Sequence, residues 1–365
     1  MGLNDTLKSY LAPDLAASQA KKLQQAQQAK TPAMIQHEYD RARRALLADF
    51  ASTPATACQS CIANAKAARR KERIELVSRA IVSCPEHGAS ARRLRADMDE
   101  VENMRCAQHV YLANDPNAPP ELRQQMPPGF LKPTPDELSA MGLNEKMLNP
   151  PDSNFRAAVY KKDPAVWGDN PKPPFVVAFR GSTPELEDWQ NNFAQDANQE
   201  SSYYQRAVNI GNRLFWYGAN VHIVGHSMGG GLASAAQGGS GLTASTYNAA
   251  GLHPRTVARY SQDAAHRAAE AAKIKALRVE GEVLTQTQES GGLSLLTNPA
   301  VGIKRKLQPA TTAAGLEQLK SQGKVAKDTK LDAHLHGMDE VIAAMEQQKS
   351  TDEAALKSCL AVGKP

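Results

Sequence analysis

Val221-His222-Ile223-Val224-Gly225-His226-Ser227-Met228-Gly229-Gly230 decides how this chain is read. Its first four residues are an apolar run with the composition of a buried strand. Gly231-Leu232-Ala233-Ser234-Ala235-Ala236, which follows, has the composition of a helix start. Between the two, the spacing G-x-S-x-G fits a sharp strand-to-helix turn that exposes a serine hydroxyl. Such a turn brings other backbone close to the residues two places either side, so only glycine fits at 225 and 229. The helix behind it aims its N-terminal N–H groups at the place where an oxyanion would form. Ser227 is therefore the candidate nucleophile. The alternative is a glycine-rich turn capped by serine.

The 365 residues are enough for one large α/β domain with an accessory region, or for two domains. Hydrophobic residues make up 41% and charged residues 22%, which supports a sizeable core and excludes global disorder. No apolar run approaches the roughly 18–20 residues that a membrane span needs. Met1 to Lys8 lack a basic segment followed by an apolar one, so we expect synthesis in the cytoplasm without a signal peptide. The net charge is +5, and residues 1–110 hold 17 basic against 12 acidic residues, so the whole excess lies in the first third. It reads as a solvated helical surface or as attraction to an anionic membrane or acidic partner. Nucleic acid is not expected as a partner.

Residues 1–113 read as an all-helical region. Ala, Gln, Lys and Leu dominate from Ala16 to Asp49, interrupted by Pro32, which predicts helices to Lys30 and from Ala33. A second helical pair is predicted over Cys58–Val82 and Ala89–Ala113, with Leu94, Met98, Val101 and Arg105 on one face. Residues 114–154 are proline-rich and read as a linker wrapping the core, with short helices near Glu121 and Asp136.

Residues 155–365 alternate between strand and helix patterns. Strands are predicted at Arg156–Tyr160, Phe175–Phe179, Val221–Val224, Ala244–Asn248 and Ile274–Val279. Helices are predicted around Asp188–Asn192, over Ser201–Trp216, after the serine turn, and over Gln262–Lys273. Two more are expected near the end, Gly337–Gln348 and Asp352–Val362. This order implies an α/β fold, a mostly parallel sheet flanked by helices. Residues 283–333 form an insertion carrying the apolar Gly291-Gly292-Leu293-Ser294-Leu295-Leu296 and the basic Lys304-Arg305-Lys306. It reads as a lid or membrane-facing excursion, or as a plain surface insertion.

Four of the five cysteines, Cys58, Cys61, Cys84 and Cys106, fall in the helical region. With His87, the order C-x2-C then C-x2-H resembles a zinc module, although the helical composition between the pairs is unlike a zinc ribbon. Cysteines near the ends of facing helices also suit disulfides, and we expect these four to pair in two bridges. Unpaired packing cysteines are the remaining alternative. Disulfides would imply work outside the cytoplasm.

A serine hydroxyl attacks only when a positioned histidine takes its proton and an acid orients that histidine. In hydrolases with this turn, the partners follow the serine in the order acid, then histidine. Of the downstream histidines, His253 comes too early and His266 sits in a predicted helix. His334 and His336 precede a helix near the end of the chain, and His336, beside Gly337, is favoured. Glu280-Gly281-Glu282 follow the strand Ile274–Val279, at the carboxyl edge where parallel sheets do chemistry. Glu282 is favoured over Glu280, Asp328 and Asp332. Two backbone donors are needed for an oxyanion. One is the N–H of Met228, the other Ser182 in the loop that ends Phe175–Phe179. This chemistry calls for no cofactor and no metal ion.

Phe179-Arg180-Gly181-Ser182, Asp188-Trp189 and Gly225-His226-Ser227-Met228-Gly229-Gly230 together resemble the class 3 lipase pattern, over roughly Arg156 to Gln348. The resemblance implies an α/β-hydrolase fold and hydrolysis of carboxylic esters of lipids. It implies Ser227 as nucleophile, Ser182 as oxyanion residue, an acid at Glu282 and a base at His336. The family usually carries Asp at the acid position. The helical, cysteine-bearing first third is similar to bacterial phospholipase effectors delivered by contact-dependent, type VI-like secretion. That implies a phospholipase A acting on membrane phospholipids, transient contact with a membrane surface, and delivery to a target-cell periplasm. An immunity protein or secretion adaptor would be its partner. The alternatives are an intracellular esterase or thioesterase on a soluble acyl compound, and an inactive hydrolase-fold binding protein.

Overall fold

Seven strands form one sheet in chain order: β1 (Phe130–Leu131), β2 (Ala157–Lys162), β3 (Phe175–Phe179), β4 (Val221–His226), β5 (Thr243–Tyr247), β6 (Ile274–Val279) and β7 (Ile303–Leu307). The computed structural model describes residues 3–47, 59–218, 220–263, 265–289 and 297–362. Strands β3 to β7 run parallel, and β1 and β2 continue the sheet antiparallel at one edge. The near-continuous apolar character of β3 and β4 is what burial on both faces demands. Val177 and Phe179 join Ile223 in one core, with the helices Ser202–Trp216 and Met228–Ser240. Val176 and Ala178 point the other way and join Val224 in a second core. The fold is α/β, as the alternating pattern predicts.

The second core is covered by the helices Pro32–Leu47 and Gly88–Leu112 and by the end of the chain. Helices α1 (Leu3–Gln28), α2 (Pro32–Leu47), α3 (Gln59–Ser83) and α4 (Gly88–Leu112) make up the helical first third. Helix α4 lies on the sheet, with Val101, Met104, Ala107 and Val110 packed beside Val176, Val224 and Leu277. It also buries Asp97, Glu100, Glu102 and Arg105, and each is paired. Asp97 meets Arg305 at 2.6 Å, Glu100 accepts from Tyr247 at 2.7 Å, and Arg105 bridges Glu102 and Glu346 at 2.5 Å each. Pairing is the condition under which such charges are tolerated inside. No described helix is long and apolar enough to cross a membrane.

Four local expectations are corrected. Helix α1 begins at Leu3, upstream of Ala16, because Lys8, Ala12, Ala16 and Ala20 form one buried stripe. Among the described residues, no α-helix runs through 262–273: after the short helix Thr256–Tyr260, Asp263 accepts from the Ala265 N–H and from His266, both at 2.9 Å. Such side-chain bonds compete with helix formation. The two expected C-terminal helices are one, Met338–Val362, in which the Thr351 hydroxyl donates back to the Gln347 carbonyl at 3.0 Å. Residues 283–333 are not all insertion: Lys304-Arg305-Lys306 is most of β7, paired parallel to β6, with its side chains bound to Glu289, Asp97 and Glu280. The apolar Gly291–Leu296 run lies outside the described residues.

The cysteine expectation is also corrected. Cys84 pairs with Cys359, at a Cα separation of 6.3 Å, because the C-terminal helix packs back against α3 and α4. Cys61 is disulfide-bonded as well, whereas Cys106 is a free, buried thiol facing the sheet. With Cys61 and Cys84 oxidised, the zinc reading loses two of its ligands. Cys58 lies outside the described residues.

Candidate active site

β4 ends at His226 and the next helix starts at Met228, so Ser227 alone makes the turn. Its φ of 58° and ψ of −128° lie where residues with a side chain are rarely found. Backbone bonds hold it there. The Ser227 N–H donates to the Tyr247 carbonyl at 3.1 Å, and its own carbonyl accepts from Gly230 and Ala250, both at 2.9 Å. A Cβ on Gly225 would strike the Gly229 carbonyl, and one on Gly229 would strike that of Phe179. Close backbone approach explains both glycines.

The Ser227 hydroxyl faces His336, with Oγ 3.0 Å from Nε2. On the far side of the ring, Nδ1 lies 2.7 Å from Glu282 Oε2. Glu282 sits in the turn after β6, where Gly281 takes a φ of 84°. The carboxylate also accepts from the N–H groups of Leu284 at 2.9 Å and Thr285 at 2.5 Å. Its side chain is fully buried, which works against charge. The His336 hydrogen bond and charge, with the Thr285 and Leu284 bonds, outweigh burial and hold its carboxyl below the usual range. A charged Glu282 fixes the proton on Nδ1 and leaves Nε2 free to accept from Ser227.

Ser182 and Met228 lie side by side, with the serine Oγ 3.6 Å from the methionine sulfur. Met228 opens its helix, where first-turn N–H groups have no intrahelical acceptor. Asp188 and Trp189 fasten the Ser182 loop. The buried Asp188 carboxylate accepts from the Thr183 N–H at 2.7 Å and its hydroxyl at 2.8 Å. Trp189 Nε1 donates to the Thr183 carbonyl at 2.9 Å.

The rival residues stand elsewhere. Glu280 is exposed and pairs with Lys306 at 3.0 Å. His334 is buried against Arg41 and Glu340. Asp332 accepts from the Ala333 N–H, and Asp328 is exposed. His253 faces Asp5 at 3.6 Å, and His266 binds Asp263.

Three supporting residues escape sequence reasoning. Asn248, with φ 40°, accepts from the Val279 N–H at 2.9 Å and donates to the carbonyls of Leu335 at 3.2 Å and His336 at 3.0 Å. It ties the end of β6 to the histidine loop. His226 Nε2 lies 2.7 Å from the His336 carbonyl oxygen, and its Nδ1 lies 3.1 Å from the Tyr111 hydroxyl. Burial, and then the charge of His336, push the His226 pKa down to about 3, so the ring is neutral. His226 belongs to the quoted motif, but only the fold gives it partners. Tyr111 has no sequence signal at all.

Residues 102–338 match the model of a family described as a Tle-like phospholipase domain. The chain is also 32% identical over 237 residues to an extracellular phospholipase A1 of Serratia liquefaciens, covering 64% of this chain and 69% of that protein. A family match across that share of the sequence, over the strand turn, the acid loop and the histidine loop, places the chain in the family of Tle-like phospholipase domains.

Proposed function

We propose that this protein is a serine hydrolase that cleaves carboxylic esters of membrane phospholipids, as a phospholipase A. The observation that carries the reading is the hydrogen-bonded series Ser227, His336, Glu282, with the serine on a strained turn at the carboxyl edge of a parallel sheet. In this reading Ser227 Oγ attacks the ester carbonyl carbon while His336 Nε2 takes its proton. Glu282 steadies the imidazolium without accepting the proton. The developing oxyanion is stabilised by the N–H of Met228 and by Ser182. His336 then gives its proton to the departing lysolipid oxygen, and water hydrolyses the acyl-serine by the same route in reverse order.

The phospholipid substrate is supported by the family and by the relative's activity on that lipid class. The oxidised Cys61 and Cys84 support a working compartment outside the reducing cytoplasm, which suits delivery to a target-cell periplasm. An effector of that kind meets a membrane surface at its target, and an immunity protein or adaptor is the expected protein partner. Lipid profiling after incubation with mixed phospholipid vesicles tests the reading. Wild type should release free fatty acid and lysophospholipid, and Ser227→Ala should not. Hydrolysis of soluble acyl thioesters with intact phospholipid would overturn it.

A further inference from the structure

The His336 ring is aimed by its backbone, and its carbonyl oxygen accepts two side-chain donors: Asn248 Nδ2 at 3.0 Å and His226 Nε2 at 2.7 Å. A carbonyl only accepts, so His226 must carry its proton on Nε2, and the Nδ1 of a neutral ring is then an acceptor. The group facing that nitrogen is the Tyr111 hydroxyl, 3.1 Å away, on the last turn of α4. It lies farther, 3.4 Å, from the His226 carbonyl. The phenol has one proton, and the ring nitrogen is the nearer acceptor. A Cβ on Gly181 would collide with both the Tyr111 hydroxyl and the His226 carbonyl, so these three groups meet with no slack.

We propose that Tyr111 is a positioning residue for the reaction: its hydroxyl locks His226 in the Nε2–H tautomer that holds the His336 loop against Ser227, where it also packs closely on Gly181 beside the serine turn. The inference rests on the serine-hydrolase reading above. In the opposite tautomer, a nitrogen lone pair would face the His336 carbonyl lone pairs at 2.7 Å, and the repulsion would push the histidine away from the serine. One phenol thus joins the loops that follow β3 and β4 to the loop carrying His336. Tyr111 comes from the helical first third, so that region supports the site as well as covering the sheet.

The test uses the full chain, p-nitrophenyl butyrate as a soluble ester, and 15N-histidine labelling. Tyr111→Phe should lower kcat by about 10- to 100-fold, the scale on which small misplacements act. KM should stay within about twofold and the melting temperature within about two degrees. The His226 resonances should show Nε2–H in wild type and a mixture of tautomers in Tyr111→Phe. His226→Leu removes the relay, so adding Tyr111→Phe to it should cost less than Tyr111→Phe costs alone. Additive losses, wild-type turnover in a stable Tyr111→Phe, or an Nδ1–H tautomer in wild type would each overturn the proposal. If Tyr111→Phe does not fold, the wild-type tautomer alone decides. A wild type inactive on every ester, with His226 in the Nε2–H form, would reject the hydrolase reading and leave the Tyr111 geometry standing.

Discussion

His336 Nε2 lies 3.0 Å from Ser227 Oγ although 109 positions of chain separate them. The contact exists because the serine turn and the histidine loop meet at one edge of the sheet, where His226 and Asn248 hold the His336 carbonyl. Ser227→Ala should therefore lower ester hydrolysis by several orders of magnitude, to the residual of about 10³–10⁴-fold over water that binding and the oxyanion site provide. Circular dichroism and melting should be unchanged. Near-wild-type turnover in the purified variant would remove Ser227 from the reaction.

The two candidate acids predict opposite outcomes. Glu282→Gln removes the charge beside His336 Nδ1 and should cost about 10²–10⁴-fold in kcat. Glu280 is exposed and engaged with Lys306 and Gln308, so Glu280→Gln should change turnover less than about twofold. Steady-state kinetics on one soluble ester decides between them, and a larger loss at Glu280 would reject the assignment.

The neighbouring histidines give a similar contrast. His334 is buried against Arg41 and Glu340. His336→Ala should nearly abolish hydrolysis. His334→Ala should act on stability, leaving kcat within a few-fold. Equal kinetic losses from the two variants, with both proteins folded, would mean that His336 is not the base.

What was legible in the sequence follows a physical divide. Val221 to Gly230 carry the strand, the turn and the helix start within ten residues, so local sterics were enough to place them. Glu282 and His336 could be named because chain order along a parallel sheet fixes which loops meet. Tyr111, Asn248 and Cys359 could not, because their roles depend on how α4 and the C-terminal helix pack, and packing leaves no fixed spacing. Gln262–Lys273 misled because its alanines favour a helix, while Asp263 captures the local N–H groups instead. The Lys304-Arg305-Lys306 strand was hidden because its charges are answered by Glu289, Asp97 and Glu280, none of them visible from the run itself.

The Cys84–Cys359 bridge joins the end of α3 to the C-terminal helix across 275 residues. A cross-link over so long a loop restricts the unfolded chain strongly, and its loss typically costs about 2–5 kcal/mol. Cys84→Ser with Cys359→Ser should lower the urea midpoint, and the active site should keep its kcat once folded, because neither cysteine approaches it. Reductant should have the same effect on wild type and none beyond the Cys61 bridge in the double variant. An unchanged midpoint would show that the bridge adds nothing to the packing of these helices.

Three buried histidines should make the fold acid-sensitive above the carboxylate range. Burial pushes the pKa of His109 and His222 down to about 4, and burial with the charge of His336 pushes that of His226 to about 3. The ordinary value is 6.5, so below it the unfolded chain takes up protons that the folded chain refuses. Stability is therefore full above pH 6.5 and falls as the pH drops toward 4. Between pH 7.5 and pH 5 each group should remove about 2 kcal/mol. The carboxylates held low, Glu282 and Glu346 among them, act in the same direction but only below their own ordinary value of 4.5. Urea unfolding at pH 7.5 and pH 5 measures the difference. His222→Gln replaces a ring bound to Thr243 and Ser245 at 2.8 and 2.9 Å with a group that does not titrate. It should shrink the pH difference by roughly one group's share, even if it lowers stability at both pH values. A midpoint that does not move between pH 7.5 and pH 5, or a His222→Gln variant with the full wild-type pH dependence, would show that these rings are charged in the folded state.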